Sequence, residues 1–140
     1  MEKKLITYRG AVYPWQCDHM GHMNVMWYVG KFDEASWHLL AAIGITPSYL
    51  RKQQRGMAAL QQEITYKKEL QAGSIITIQS SILEMKNKII RFSHEMFNEE
   101  SGELAAALTE TAIHLDTQSR KSCPFPEEIK RRFEKLRITI

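Results

Sequence analysis

The chain has 140 residues, 44% hydrophobic and 25% charged, which is enough for one domain with a buried core and excludes a disordered composition. Its formal charge of +3 is mild, and much of the excess gathers in IKRRFEKLR, so nucleic acid is not an expected partner. No apolar run is long enough to span a membrane, no basic-apolar-small pattern marks a secretory signal, and two distant cysteines, Cys17 and Cys123, suit reduced thiols; a cytoplasmic protein away from the membrane is expected.

Residues 5–13, LITYRGAVY, are rich in aromatic and branched side chains and stop at Pro14, which has no N–H to donate, so they predict a first strand. After a histidine-containing stretch, Val25, Val29, Phe32, Ser36, Leu39, Leu40 and Ile43 recur at helical spacing, with Asn24 as N-cap and Gly44 as stop. That predicts a helix of about 19 residues, close to 30 Å long at roughly 1.5 Å per residue. Thr46-Pro47 should open a short helix that Gly56 closes.

The period then changes. AALQQEITYK alternates Ala58, Leu60, Ile64 and Tyr66 against Gln61, Glu63, Thr65 and Lys67, a strand with one half-buried face. SIITIQSSILEM (74–85), KIIRFSHEMF (88–97) and ELAAALTETAIHLD (103–116) follow in the same manner. The last is alanine-rich enough to suggest helix, but its second half alternates Thr109, Thr111, Ile113 and Leu115 with Leu108, Glu110, Ala112 and His114. The short polar connections KELQAG, KN and NEESG predict antiparallel hairpins or a meander. Pro126, Glu127 and Glu128 start a C-terminal helix with Ile129, Phe133 and Leu136 on one face, acidic first and basic last as the dipole favours.

The expectation is therefore an α+β fold, one long helix against a single antiparallel sheet of about five strands, with a short C-terminal helix. It forms a single domain over 1–140, its core at about 5–118 and an extension with the helix at 119–140. An unmatched sheet face or edge would need covering by another copy, which points to a homo-oligomer.

The stretch CDHMGHMNVMWY, Cys17 to Tyr28, lies where the first strand gives way to the long helix. Cys17, Asp18, His19 and His22 are all competent zinc ligands, but metal sites draw ligands from separated pairs, and neighbours on one turn would have to fold back on themselves. No metal is expected. Cys17 near two imidazoles could be a nucleophile, although small buried cysteines are commonly inert. Asp18 could be a general base or nucleophile facing the free N–H groups of the helix that follows, two parts of an acyl-transfer site. Equally, an aspartate before a helix commonly does no more than hydrogen-bond its own turn. Local chemistry leaves these last two open.

Asp18-His19-Met20-Gly21-His22-Met23-Asn24-Val25-Met26-Trp27-Tyr28 resembles the pattern D-x-x-G-H-x-N-x-x-x-Y of hotdog-fold acyl-CoA thioesterases of the 4-hydroxybenzoyl-CoA thioesterase type. YKKELQAGSIITIQS (66–80) is similar to a later segment of that family, and the order of elements agrees over roughly residues 5 to 118. The resemblance implies a hotdog fold, a long central helix wrapped by the sheet, and hydrolysis of an acyl-CoA thioester. It implies Asp18 as general base or nucleophile, the backbone N–H of Val25 as oxyanion donor, and Gly21, His22, Asn24 and Tyr28 as loop-shaping or substrate-binding residues. His19 and Cys17 match nothing essential. Where many relatives have a second asparagine this chain has Val25, which a backbone role tolerates. No cofactor is implied, and a homodimer or homotetramer is.

Glu63 is expected to be solvated or to face a partner copy rather than serve as a second carboxylate, and His94 and His114 to be satisfied within the sheet. Arg51, Lys52, Arg55, Lys67, Lys68, Lys86, Lys88 and Arg91 are candidates for the CoA phosphates, and the sequence does not choose among them. The tail HLDTQSRKSCPFPEEI faintly resembles hotdog thioesterases linked to carnitine and betaine breakdown. The alternative to hydrolysis is a non-catalytic acyl-CoA binding or sensor module on the same fold.

Overall fold

A computed structural model describes residues 4–138; residues 1–3 and 139–140 of the expected domain lie outside the described residues. Strand β1 (Leu5–Ala11) leads through one turn of 3-10 helix at Pro14–Gln16 to the long helix α1 (Val25–Ala41). Then come α2 (Pro47–Gln53), β2 (Arg55–Tyr66), β3 (Ile75–Met85), β4 (Ile89–Asn98), β5 (Leu104–Asp116) and α3 (Glu127–Ile138). The order is the one expected, with the 3-10 turn added and β1 ending at Ala11 rather than residue 13.

The caps act as the sequence suggests, with one exception. Asn24 accepts from the Met26 N–H at the start of α1, and Thr46 accepts from the Tyr49 N–H at the start of α2. Helix α2 is closed by Gln54, whose φ of 54° turns the chain in the left-handed region, and Gly56 already belongs to β2. Glycine was expected there because it takes positive φ without strain; Gln54 does so because the Arg51 and Leu50 carbonyls bind its N–H.

The five strands form one antiparallel sheet in the order β1-β3-β4-β5-β2. Strands β3, β4 and β5 make the expected meander, but β2 and β3 are not a hairpin: β2 pairs with β5 at the far edge. The connecting segment crosses the end of the sheet instead. Lys67 and Lys68 both donate their N–H to the Ala105 carbonyl (2.8 and 3.0 Å), and Leu70 is buried beneath them. The Leu70 carbonyl in turn accepts from the Met23 N–H at 2.7 Å, tying this crossing to the loop before α1.

Helix α1 lies on the sheet through Tyr28, Lys31, Phe32, Ala35, Ser36 and Leu39. Fully burying a side chain such as Phe32 or Leu39 contributes roughly 1.5–3 kcal/mol. One cluster joins Phe32 and Ala35 to Ile76, Ile78, Met96 and Leu108; a second joins Leu39 and Ile43 to Ile82, Ile90 and Phe92. Phe125, Ile129 and Phe133 belong to that second cluster, so the C-terminal segment seals the core at the end of α1. His94 is fully buried, with Ser36 on its Nε2 (2.9 Å) and Ser80 on its Nδ1, and its ring stacks on Phe32. His114 is likewise satisfied, by the Tyr49 hydroxyl (2.8 Å) and the Cys123 carbonyl (2.9 Å). Lys31 is buried with no carboxylate partner among the described residues; its ammonium donates to the Tyr8 hydroxyl (3.0 Å) and sits over that ring, so the charge is met by lone pairs and a π face.

Strand β2 departs from expectation. None of its residues is buried, a bulge interrupts its register between Ala59 and Gln61, and Leu60 and Tyr66 are exposed. On the face that alternation predicts to be half-buried, Ala58 and Ile64 are half-buried, with Ile64 packed against the first core cluster, while Leu60 and Tyr66 stay largely open.

Candidate functional site

CDHMGHMNVMWY folds as a loop closed at its base. Cys17 and Met23 bridge antiparallel, the Asp18 N–H donates to the His22 carbonyl (3.1 Å), and the Gly21 N–H donates to the Asp18 carbonyl (3.0 Å). Gly21 has φ +88°, a conformation that costs a residue with a Cβ roughly 1–2 kcal/mol. This is the tight turn expected of it.

Asn24 does two jobs with one amide. Its Oδ1 accepts from the Met26 N–H (3.0 Å) to cap α1, and its Nδ2 donates to Asp18 Oδ2 (2.9 Å). The other Asp18 oxygen accepts from the Met20 N–H at 2.9 Å. The Asn24 amide, and then the Met20 N–H, hold the Asp18 carboxyl below the usual carboxylate range, so it is ionised at neutral pH. Both oxygens keep lone pairs beyond these single bonds.

Val25 opens α1. The Met26 N–H is taken by Asn24 Oδ1 and the Trp27 N–H by the Asn24 carbonyl, whereas the Val25 N–H donates to no group among the described residues. It is a free donor at the positive end of the helix, in a residue half exposed to solvent.

A cleft of about 350 Å³ holds Asp18, His22, Val25 and Tyr28 in its wall. Gly21 and Asn24 stand behind it, one shaping the turn and the other holding the carboxylate. The opposite wall is the crossing segment from Tyr66 to Glu69. Tyr28 is buried, its hydroxyl donates to the Lys68 carbonyl (3.2 Å), and its ring meets Tyr66 edge-on. Burial pushes the Tyr28 phenol up, which keeps it neutral. His22 Nε2 lies 3.1 Å from Glu69 Oε2, a second tie between loop and crossing segment.

Of the eight candidate cations, Lys67 and Lys68 line this cleft; Arg55 pairs with Asp116, and Lys86 and Arg91 with Glu84. Glu63 is exposed on β2 and outside the cleft wall. Cys17 Sγ is turned toward the Tyr13 carbonyl, and His19 is exposed. No three His, Cys, Asp or Glu side chains among the described residues are grouped to hold a metal. Glu69 and Tyr66 are not legible as site residues in the sequence, because a short polar connection reads as a hairpin, whereas here it crosses the sheet and returns to the loop.

Residues 12–133 match the Thioesterase-like superfamily. A betainyl-CoA thioesterase of Pseudomonas aeruginosa is 24% identical over 136 residues, covering 97% of this chain and 86% of that protein. An L-carnitine dehydrogenase/betainyl-CoA thioesterase of Agrobacterium fabrum is 27% identical over 119 residues; the match covers 85% of this chain and 24% of that longer protein. A Staphylococcus aureus protein solved in complex with CoA superposes with a TM-score of 0.88 at 21% identity, covering 98% of this chain and 89% of that one. At that identity the likeness establishes a shared fold.

Proposed function

The chain belongs to the Thioesterase-like superfamily and is a thioesterase of hotdog fold, and from that premise we propose that it hydrolyses an acyl-CoA thioester to a free acid and CoA. The observation that carries this is the pairing, in one cleft, of an ionised Asp18 carboxylate with an unpartnered Val25 N–H at a helix N-terminus.

In this reading the thioester carbonyl oxygen accepts from the Val25 N–H, and the helix end stabilises the negative charge that grows there on attack. Asp18 works by one of two routes, in the manner implied by the 4-hydroxybenzoyl-CoA type of motif. As nucleophile, a carboxylate oxygen bonds to the carbonyl carbon, the C–S bond breaks, CoA leaves as thiolate, and water cleaves the resulting anhydride. As general base, Asp18 takes a proton from a water that attacks directly, and the same C–S bond breaks. Asn24 holds the carboxylate and Gly21 the turn; His22 and Tyr28 brace the loop against the crossing segment. Lys67 and Lys68 contact CoA phosphates.

The same reading makes the enzyme a homodimer or homotetramer, supported by the uncovered edge strand β2 with Leu60 and Tyr66 exposed. It works in the cytoplasm, supported by two free cysteines; no helix among the described residues is long and apolar enough to cross a membrane. The experiment is thiol release from a panel of acyl-CoAs of differing length, branching and charge. Release from at least one is expected. CoA binding without release from any would instead make the protein a binding module.

A further inference from the structure

A second cavity, of about 140 Å³, lies between α1 and the β2–β5 side of the sheet. It holds roughly four or five waters' worth of space at about 30 Å³ each. Asp33 and Glu110 both line it, with Trp37, Leu40, Met57 and Ala112. Glu110 is 8% exposed; its Oε1 accepts from Gln62 at 2.7 Å, and its other oxygen has no donor among the described residues. Among the described residues no fully buried side-chain oxygen lacks a partner, so that oxygen keeps some contact with solvent, and Glu110 is one of the residues that line the cavity. Neither carboxylate is in an ion pair among the described residues. A largely buried carboxylate beside a second one is costly unless a cation joins them. Burial, and after it the charge of Asp33, raises the Glu110 carboxyl against the donation from Gln62.

We propose that this cavity binds a small alkylammonium group, its charge between Asp33 and Glu110 and its methyl groups against Met57, Leu40 and the ring of Trp37. Apolar walls and an aromatic face distinguish this site from one for a metal or a strongly hydrated ammonium, because methylated nitrogen presents hydrocarbon outside and charge within. The acyl part of the substrate carries the cation, an assignment that rests on the thioesterase reading. Asp33 follows Val25 by eight residues, about 12 Å along the axis of α1, and both belong to one stripe with Val29 at helical spacing. The side chain of Asp33 leans back toward the N-terminus, shortening that distance. The two relatives at 24% and 27% identity named above are called betainyl-CoA thioesterases, and betaine carries such a cation.

Two arms test the proposal. In the first, tetramethylammonium is titrated into the protein and the indole N–H resonance of Trp37 is followed, with neopentyl alcohol as a neutral control of similar shape. A saturable shift with the cation alone, lost in Asp33→Asn/Glu110→Gln, is expected. No shift, or an equal shift in the variant or with the alcohol, overturns the site. In the second, trimethylammonio-acyl-CoAs of increasing chain length are compared with isosteres in which carbon replaces nitrogen. At least a tenfold preference in kcat/KM for the cationic member at one length is expected, abolished in the double variant while hydrolysis of the neutral member persists. Equal hydrolysis at every length overturns the assignment to the acyl group. If no thioester of either kind is cleaved, the thioesterase reading fails, and the first arm still decides the cavity.

Discussion

Asn24 couples the start of α1 to the Asp18 carboxylate through one amide group. Its oxygen caps α1 and its nitrogen holds Asp18, so a change at this position alters the cap and the carboxylate separately according to what replaces it. Serine retains an oxygen that can cap, and as a cap it ranks with asparagine. It cannot donate to Asp18 in the same geometry. Asn24→Ser is expected to leave thermal stability nearly unchanged while raising the Asp18 pKa, because the Asn24 amide, the donor that does most to depress it, is gone. In the proposed mechanism activity depends on the ionised form, so the acid limb of the kcat/KM profile should move to higher pH. An acid limb that stays in place in the variant would mean that Asn24 does not control the carboxylate. At this scale the sequence was most legible, since Asp18, Gly21 and Asn24 sit within seven residues and their contacts are local. Glu110 and Lys31 were not legible. Alternation placed Glu110 on a face of β5 without saying which face is covered, and Lys31 is buried only because β1 brings Tyr8 over it.

At the scale of elements, periodicity carried most of the fold: one long helix, four later strands and a C-terminal helix follow from where apolar residues recur. Pairing order did not follow. KELQAG is short and polar, as a hairpin loop would be, yet Leu70 in its middle is buried and its backbone is committed to Met23, which draws the chain across the sheet. One apolar residue in a polar connection was the available signal. The consequence is that β2 becomes an edge with Leu60 pointing into solvent from a bulge. If a second copy covers that edge, Leu60→Glu should shift the protein toward monomer in sedimentation or light scattering, since it sets a charge where apolar surface meets. A wild type that is already monomeric at micromolar concentration would remove β2 as an assembly edge.

For the whole molecule, His94 sits where the two halves of the core meet, bonded to α1 through Ser36 and to β3 through Ser80. Burial pushes its pKa from the ordinary 6.5 down to about 4, so it is neutral in the fold. The unfolded chain takes up a proton at that position first as pH falls, and stability contributed by the neutral ring is therefore lost between pH 6.5 and about 4. The full span corresponds to on the order of 3 kcal/mol. His94→Gln keeps groups that can bond Ser36 and Ser80 but does not titrate. Urea denaturation at pH 7.5 and 4.5 should show a clearly smaller acid loss for the variant, even if it is less stable at pH 7.5. Parallel losses in both proteins would assign acid sensitivity elsewhere.

In the proposed mechanism one carboxylate and one helix-end amide perform thioester hydrolysis. The deciding measurement is kcat/KM of Asp18→Asn against wild type, on whichever acyl-CoA wild type cleaves best, with CoA affinity measured alongside. The amide is nearly isosteric with the carboxylate, so CoA affinity should stay within a few-fold while kcat/KM falls roughly 10²-fold or more. A variant that cleaves the thioester at close to the wild-type rate would contradict the assignment of Asp18.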